Sequence, residues 1–485
     1  MTSAKPGSTG LTFLLLAIGA GSISMLQSLL SPVLPTLQAE LNTTQSAVAW
    51  VVIAFLLSAA VATPILGKIG DTTGKVRMLQ VALGGIVTGS LISALAPNIE
   101  ILVLGRALQG LGAAAFPLSY GILRDRLPAN SVASAVGSLS SVIAVGGGVG
   151  VILAGPVVGL LGWRSLFWLP MALLAIVMLL VNRFLPESEV RTGGRINWLS
   201  GALLAGWLVA TLLPLSQGTL WGWTSPGVIA AFAIAAVLLI AWYLVETRSA
   251  NPLIDMKMMA LNSVWKTNLV ALLFGAAMFA VWAFLPQLAQ VSPSAGYGFG
   301  ASVTEAGWLI LPMLITMALA GMASGRIAKR VSFKNQMAFG SGLASLSILG
   351  FAFLHASMWQ LAIGSAVFGL GLGFVYSTMT NVIIQTVLPS QTGAASGMNA
   401  NIRTIGGAIG TAAMTAIVTS QRQPGGLPAE QGFTSGFLLF ALIAAVAMGV
   451  CLLLPRPMAP AVKVADEPSS ELAPEASMTS AKLAA

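Results

Sequence analysis

GKIGDTTGKVR, Gly67–Arg77, packs three glycines, two threonines and four charged residues into eleven positions of a chain that is 8% charged overall. The twenty residues before it carry no charge, and a second apolar run begins directly after it. Each run is long enough for roughly 30 Å of hydrocarbon, so the segment reads as a tight turn joining two membrane-crossing helices. The same alternation continues along the chain. It is 485 residues long and 56% hydrophobic, with a mean hydropathy of +0.89. A soluble protein of that length would need far more charge to cover its surface. The sequence therefore specifies an all-α polytopic membrane protein.

Fourteen spans are expected, at roughly 11–31, 47–67, 78–97, 101–122, 132–154, 164–184, 198–216, 226–246, 266–290, 305–324, 336–355, 358–385, 395–419 and 433–454. The first run follows a lone Lys5 and lacks a convincing cleavage site, so it is read as a retained helix and not a signal peptide. An even count puts both termini on one side. With the tails in the cytoplasm, nineteen of the 23 Lys and Arg fall in tails, inner loops or inner helix ends. Arg164 and Arg422 fall outside, and Arg106 and Arg403 fall within spans. The net charge of +9 is thus read as topological anchoring, not as a nucleic-acid surface. The single cysteine, Cys451, excludes an intramolecular disulfide.

The chain also repeats itself. GGGVG at Gly146–Gly150 recurs as GGAIG at Gly406–Gly410, an offset of 260. LPANSVASAVG from Leu127 pairs with LPSQTGAASGM from Leu388 at 261, and the opening stretch has a weak echo in GRIAKRVSFK from Gly325 at 258. Three matches near one offset imply two related bundles in parallel orientation, spans 1–6 and 9–14, with spans 7 and 8 inserted. The expected divisions are a cytoplasmic tail at 1–10, a six-helix bundle at 11–185, a linker with two extra helices at 186–260, a second bundle at 261–455 and a disordered tail at 456–485. Parallel six-span repeats place a binding site at the midplane, between the halves.

Here the chain resembles the major facilitator superfamily, in its fourteen-span drug:proton antiporter branch, over nearly its whole length. GKIGDTTGKVR resembles the signature between spans 2 and 3, RALQGLGAA (Arg106–Ala114) that of span 4, and AGPVVGLLGWRSLF (Ala154–Phe167) the antiporter signature of span 5. WVVIAFLL (Trp50–Leu57) and GAASGMNANIRTIGGAIG (Gly393–Gly410) match further patterns of the branch. The resemblance implies a bacterial cell-membrane exporter of hydrophobic or amphipathic drugs, driven by proton antiport. Its partners would be a small-molecule substrate, protons and the bilayer, without nucleic acid, and it would act as a monomer. A dedicated exporter of one metabolite or antibiotic, or a proton-coupled importer of nutrients, is the alternative.

Candidate residues follow from both readings. Gly146/Gly150 and Gly155/Gly159 have the four-residue spacing that lets helices approach closely, and Pro156 invites a bend. By resemblance, Gly155 and Pro156 form a hinge, although Val151 stands where the family pattern begins with glycine. Arg106, a charge in mid-span, costs at least about 2.5–3.5 kcal/mol to insert and is a functional candidate by default. By resemblance, Arg106 couples proton movement to substrate, and Gln109 one turn on, Arg403 in span 13 and Glu305 at the start of span 10 are grouped with it as coupling candidates. The aspartate that relatives carry in span 1 is Leu26 here, and no Asp or Glu lies in the core of any span. A lost intramembrane anion disfavours dicationic drugs. The resemblance gives the cavity lining as Gln27, Phe116, Tyr120, Phe279, Trp282, Gln287, Tyr376 and Asn381, with Asn399 in addition. Aromatic walls with few polar groups suit variable amphiphiles. In the opening stretch, Gly67 and Gly74 allow close approach and a sharp turn, while Lys75 and Arg77, with Lys68, anchor the inside. By resemblance, Asp71 would face the start of span 13 near Ser390–Ala394 as a gating brace, and the repeat, which puts Lys329 at its counterpart in the second half, makes that brace one-sided.

No metal or cofactor is expected. The chain has one histidine, His355, no cluster with metal-ligand spacing, no Ser–His–Asp set and no phosphate-binding loop, so enzymatic chemistry and ATP hydrolysis are not indicated.

Overall fold

The computed structural model describes residues 8–30, 33–188, 197–420 and 428–455. Arg422 and most of the two expected tails lie outside the described residues. Among those described, fourteen helices are long and apolar enough to cross a membrane. They are α1 (Ser8–Leu29), α2 (Gln45–Thr73), α3 (Lys75–Ala94), α4 (Ile99–Arg126), α5 (Ala129–Leu161), α6 (Ser165–Phe184) and α7 (Trp198–Trp221). The rest are α8 (Pro226–Arg248), α9 (Asn262–Gln290), α10 (Glu305–Ile327), α11 (Phe333–Phe353), α12 (Met358–Thr386), α13 (Thr392–Ser420) and α14 (Glu430–Leu452). α4 tightens to a 3-10 turn at Leu111–Ala114. Polar caps start several helices, with Thr44 accepting from the Ala47 amide and Asn98 from the Ile101 amide.

The helices run past their expected ends. α2 was expected to stop at residue 67, yet it continues through Thr73, so most of the charged stretch is helix and the turn is Gly74 alone. α5 likewise continues to Leu161 with Pro156 inside it. The reason is that membrane-proximal backbone finds its hydrogen bonds most readily within a helix, so charge by itself does not end one.

Six helices on each side pack in one repeated pattern. α1 packs on α5 and α6, α2 on α4, and α3 on α4 and α6; α9 packs on α13 and α14, α10 on α12, and α11 on α12 and α14. Adding eight to each number of the first set gives the second. Each set closes on its own core, with Leu16, Ile23, Leu83 and Phe167 in the first and Phe274, Phe351, Phe368 and Phe437 in the second. The halves meet along α2–α13 and α5–α10, which the same symmetry relates. This is the two-bundle, fourteen-helix architecture the repeat implied.

Glycine makes the repeated seams possible. A Cβ on Gly146 or Gly150 would run into the carbonyls of Gly21 and Met25, and one on Gly406 or Gly410 into those of Leu272 and Ala276. Gly155 and Gly159 differ from expectation: nothing lies near either, and Gly155 and Pro156 are exposed. That pair faces outward from the bundle and is no helix–helix seam. The inserted helices pack on each other, and α7 also lies against α2 and α13. There Leu204, Trp207 and Leu208 share a core with Ala60, Ala395 and Met398.

Candidate functional site

On the face where α2 turns into α3, the halves are pinned together. Asp71 is fully buried, and its carboxylate accepts from the backbone amides of Gly393 (3.4 Å) and Ala394 (3.2 Å) at the start of α13. Unpaired amides and the helix dipole both favour an anion there. Below it Lys75, also wholly buried, sits 3.8 Å from Asp71 and 2.7 Å from Asp125 at the end of α4. Lys75 is therefore an internal counter-ion and not the headgroup anchor expected. Asp125 also accepts from the Ser188 hydroxyl. Arg124, its neighbour, crosses to the second half, donating to Thr392 Oγ1 (2.7 Å) and the Val387 carbonyl (2.9 Å).

Two glycines fit this cluster. A Cβ on Gly67 would lie 2.8 Å from the Gly393 carbonyl oxygen, so α2 and α13 touch backbone to backbone. Gly74 has φ +131°, and its Cβ would lie 2.5 Å from the Glu187 carboxyl carbon. Glu187 accepts from the amides of Val76 (2.8 Å) and Arg77 (2.9 Å) and so caps α3. The Arg77 side chain is 69% exposed and 3.9 Å from the same carboxylate, which leaves it an ordinary surface charge. The symmetry-related junction shows the same close approach, with Gly325 against Ser134 and Ala133. Lys329, at the place of Asp71, is exposed.

Arg106 is buried in the wall of the first bundle. Its Nε donates to the Val51 carbonyl (2.9 Å) and Nη1 to Gln109 Oε1 (2.5 Å), while the guanidinium covers the Phe55 ring at 4.4 Å. Gln109 in turn donates to Ser90 Oγ (3.0 Å). Arg106 and Gln109 thus form one polar knot joining α2, α3 and α4. Glu305 lies elsewhere. It is exposed and closes a capping box, accepting from the Ser302 amide (2.8 Å) and hydroxyl (2.9 Å). Helix-end chemistry accounts for that carboxylate, and it does not join the other three coupling candidates.

Several of the expected lining residues meet at the junction between the halves. Arg403 is half-buried in mid-α13, its guanidinium 4.3 Å from the centre of the Tyr376 ring on α12. Tyr120 on α4 faces them across the junction, within electrostatic reach of both, and bonds the Ser140 hydroxyl at 3.0 Å. Phe279 packs over Gly407 and lies 6.1 Å from Trp282, whose ring reaches Gly147 on α5 of the other half. Phe116 and Gln27 are half-buried on α4 and α1. Gln287 is exposed near the far end of α9. Asn381 departs from expectation: it is wholly buried and ties α12 to α5 by donating to the Ala133 carbonyl at 3.3 Å. Asn399 is bonded to Asn268 at 2.8 Å and joins α13 to α9.

Sequence reading missed Arg124, Asp125, Glu187 and Glu246. Glu246, at the end of α8, is buried and accepts from Ser200 Oγ (2.6 Å) and the Leu253 (2.9 Å) and Ile254 (3.1 Å) amides. The usable signal was at α3, a helix with no capping side chain or acid in its first turn, which therefore needed an anion from elsewhere.

The sequence profile of the Major Facilitator Superfamily matches residues 16–196, 187–411 and 293–482. The cephamycin export protein CmcT of Amycolatopsis lactamdurans is 30% identical, the alignment covering 92% of this chain and 92% of the relative. Multidrug resistance protein 3 of Bacillus subtilis is 25% identical over 86% of this chain and 81% of its own length. In structure, the chain is similar to the human organic anion transporter MFSD10 (TETRAN), with a TM-score of 0.68, 15% identity, and coverage of 92% of this chain and 100% of that one. Two symmetric six-helix sets around an aromatic cleft, together with these matches, place the chain in the Major Facilitator Superfamily.

Proposed function

We propose that this protein exports hydrophobic or amphipathic drugs across the cell membrane by alternating access, in exchange for protons. The carrying observation is the junction between the halves, where Tyr120 of α4 faces Tyr376 and Arg403, and Trp282 of α9 reaches Gly147 of α5, while the α2–α3 face is pinned shut. Relatives described as drug-resistance and export proteins support the same reading. In this account the α2–α3 face and both tails are cytoplasmic, as the distribution of Lys and Arg favours. The boundaries between the bundles at 11–185 and 261–455 mark rigid halves, and one chain works as a monomer. Asp71 holds the cytoplasmic side closed and lets go as the protein opens inward. Arg106 and Gln109 link the cleft to proton movement, and the polypeptide acts as a transporter and not an enzyme.

The test is a susceptibility panel in a bacterial strain lacking its own pumps, with expression confirmed. Raised resistance to several unrelated amphipathic compounds is expected. No shift for any compound would remove the export reading. Resistance confined to one class would favour the dedicated exporter, a reading supported by the similarity to a cephamycin export protein.

A further inference from the structure

Two arginines lie in mid-membrane, and they are held differently. Arg106 has a carbonyl, an amide oxygen and a ring around it. Arg403 lies against the Tyr376 ring, and among the described residues no carboxylate and no hydrogen-bond acceptor meets its guanidinium. A cation at this depth is costly unless something neutralises it. The buried acids among the described residues sit at helix ends and are occupied: Asp71 on α13 amides, Asp125 on Lys75 and Ser188, Glu246 on Ser200 and two amides. The Trp282 indole N–H, on α9 beside Phe279, is buried with no acceptor among the described residues. The junction thus offers a positive charge and a spare donor beside the rings of Phe279, Trp282 and Tyr376, and among the described residues no carboxylate pairs with either.

We propose that the cleft selects amphipathic anions, the acidic group seated on Arg403 and the apolar body against the rings of Phe279, Trp282 and Tyr376. This rests on the export reading and specifies its substrate class. A guanidinium already stacked on an aromatic ring keeps its edge free for two parallel bonds to a carboxylate, which lysine cannot reproduce. A charge-assisted pair of about 1.5–3 kcal/mol corresponds to roughly ten- to a hundredfold in affinity.

The test is a matched series on one aromatic body: pyrenebutanoate, pyrenebutanol and pyrenebutylammonium. Binding to the purified full chain in nanodiscs is followed by tryptophan quenching, with empty discs subtracted. Wild type should bind the anion about tenfold or more tighter than the alcohol, with the ammonium weakest. Arg403→Gln should bring the anion to the level of the alcohol, while Arg403→Lys keeps part of the preference. Equal binding of the three, tightest binding of the ammonium, or an anion preference that survives Arg403→Gln overturns the proposal. If Arg403→Gln does not fold, the wild-type series and Arg403→Lys decide. If no probe binds while the resistance panel shows export, the anion assignment fails and the export reading stands.

Discussion

At the scale of single residues, the same residue type does different work according to what surrounds it. Asp71 and Glu305 both sit beside helix N-termini. Asp71 is buried and bridges the two halves, whereas Glu305 is exposed and caps its own helix. Asp71→Asn keeps the shape but removes the charge and turns an amide group toward backbone donors. Transport should fall by about tenfold, the worth of a charge-assisted bond, at unchanged expression in a drug-efflux assay. Glu305→Gln, which a capping box tolerates, should transport like wild type in the same assay. Arg106→Ala should cost about 1–3 kcal/mol for each partner left unsatisfied, read as a lowered thermal midpoint in detergent. Arg106 and Arg403 were legible as mid-span charges. Their settings were not, because Val51 and Phe55, which meet Arg106, lie on another helix and the ring that Arg403 meets is on α12.

At the scale of elements, the helices were readable from apolar runs, and their ends were not. The charged residues after Gly67 looked like a loop, yet Asp71 and Lys75 point inward and pair, so the helix carries them into the protein. Glycine spacing identified the seam at Gly146/Gly150, which the repeat carries over to Gly406/Gly410, and misread Gly155/Gly159, since spacing does not say which way a helix face points. Glu187 could not be assigned to Gly74 because 111 residues separate it from the amide of Val76 that it caps. The α2–α13 contact gives a direct prediction. Valine at Gly67 would meet the Gly393 carbonyl at 2.8 Å even at Cβ and should hold the helices apart. A cysteine at Ala394, which is 3% exposed, should then react faster with a maleimide than it does beside Gly67, in a Cys451→Ala background. Equal labelling rates would mean that the junction has room to spare.

At the scale of the molecule, the repeat in sequence became a symmetry in packing: α2–α13 and α5–α10 are the same junction twice. The symmetry is broken where buried Asp71 is replaced by exposed Lys329. Two equivalent hinges with a lock on only one of them suit halves that rock about the central cleft. Internal repeats revealed this plan; the position of α7 and α8 against the locked junction required the packed structure, because their sequence is uniformly apolar and carries no directional signal. Energy coupling is the central claim for the whole molecule, and transport by purified protein in proteoliposomes tests it most directly. The protein should concentrate an amphipathic substrate against its gradient when a pH gradient is imposed in the exchange direction, and stop when an ionophore collapses it. An uptake rate that is the same with and without the pH gradient would contradict proton-driven export.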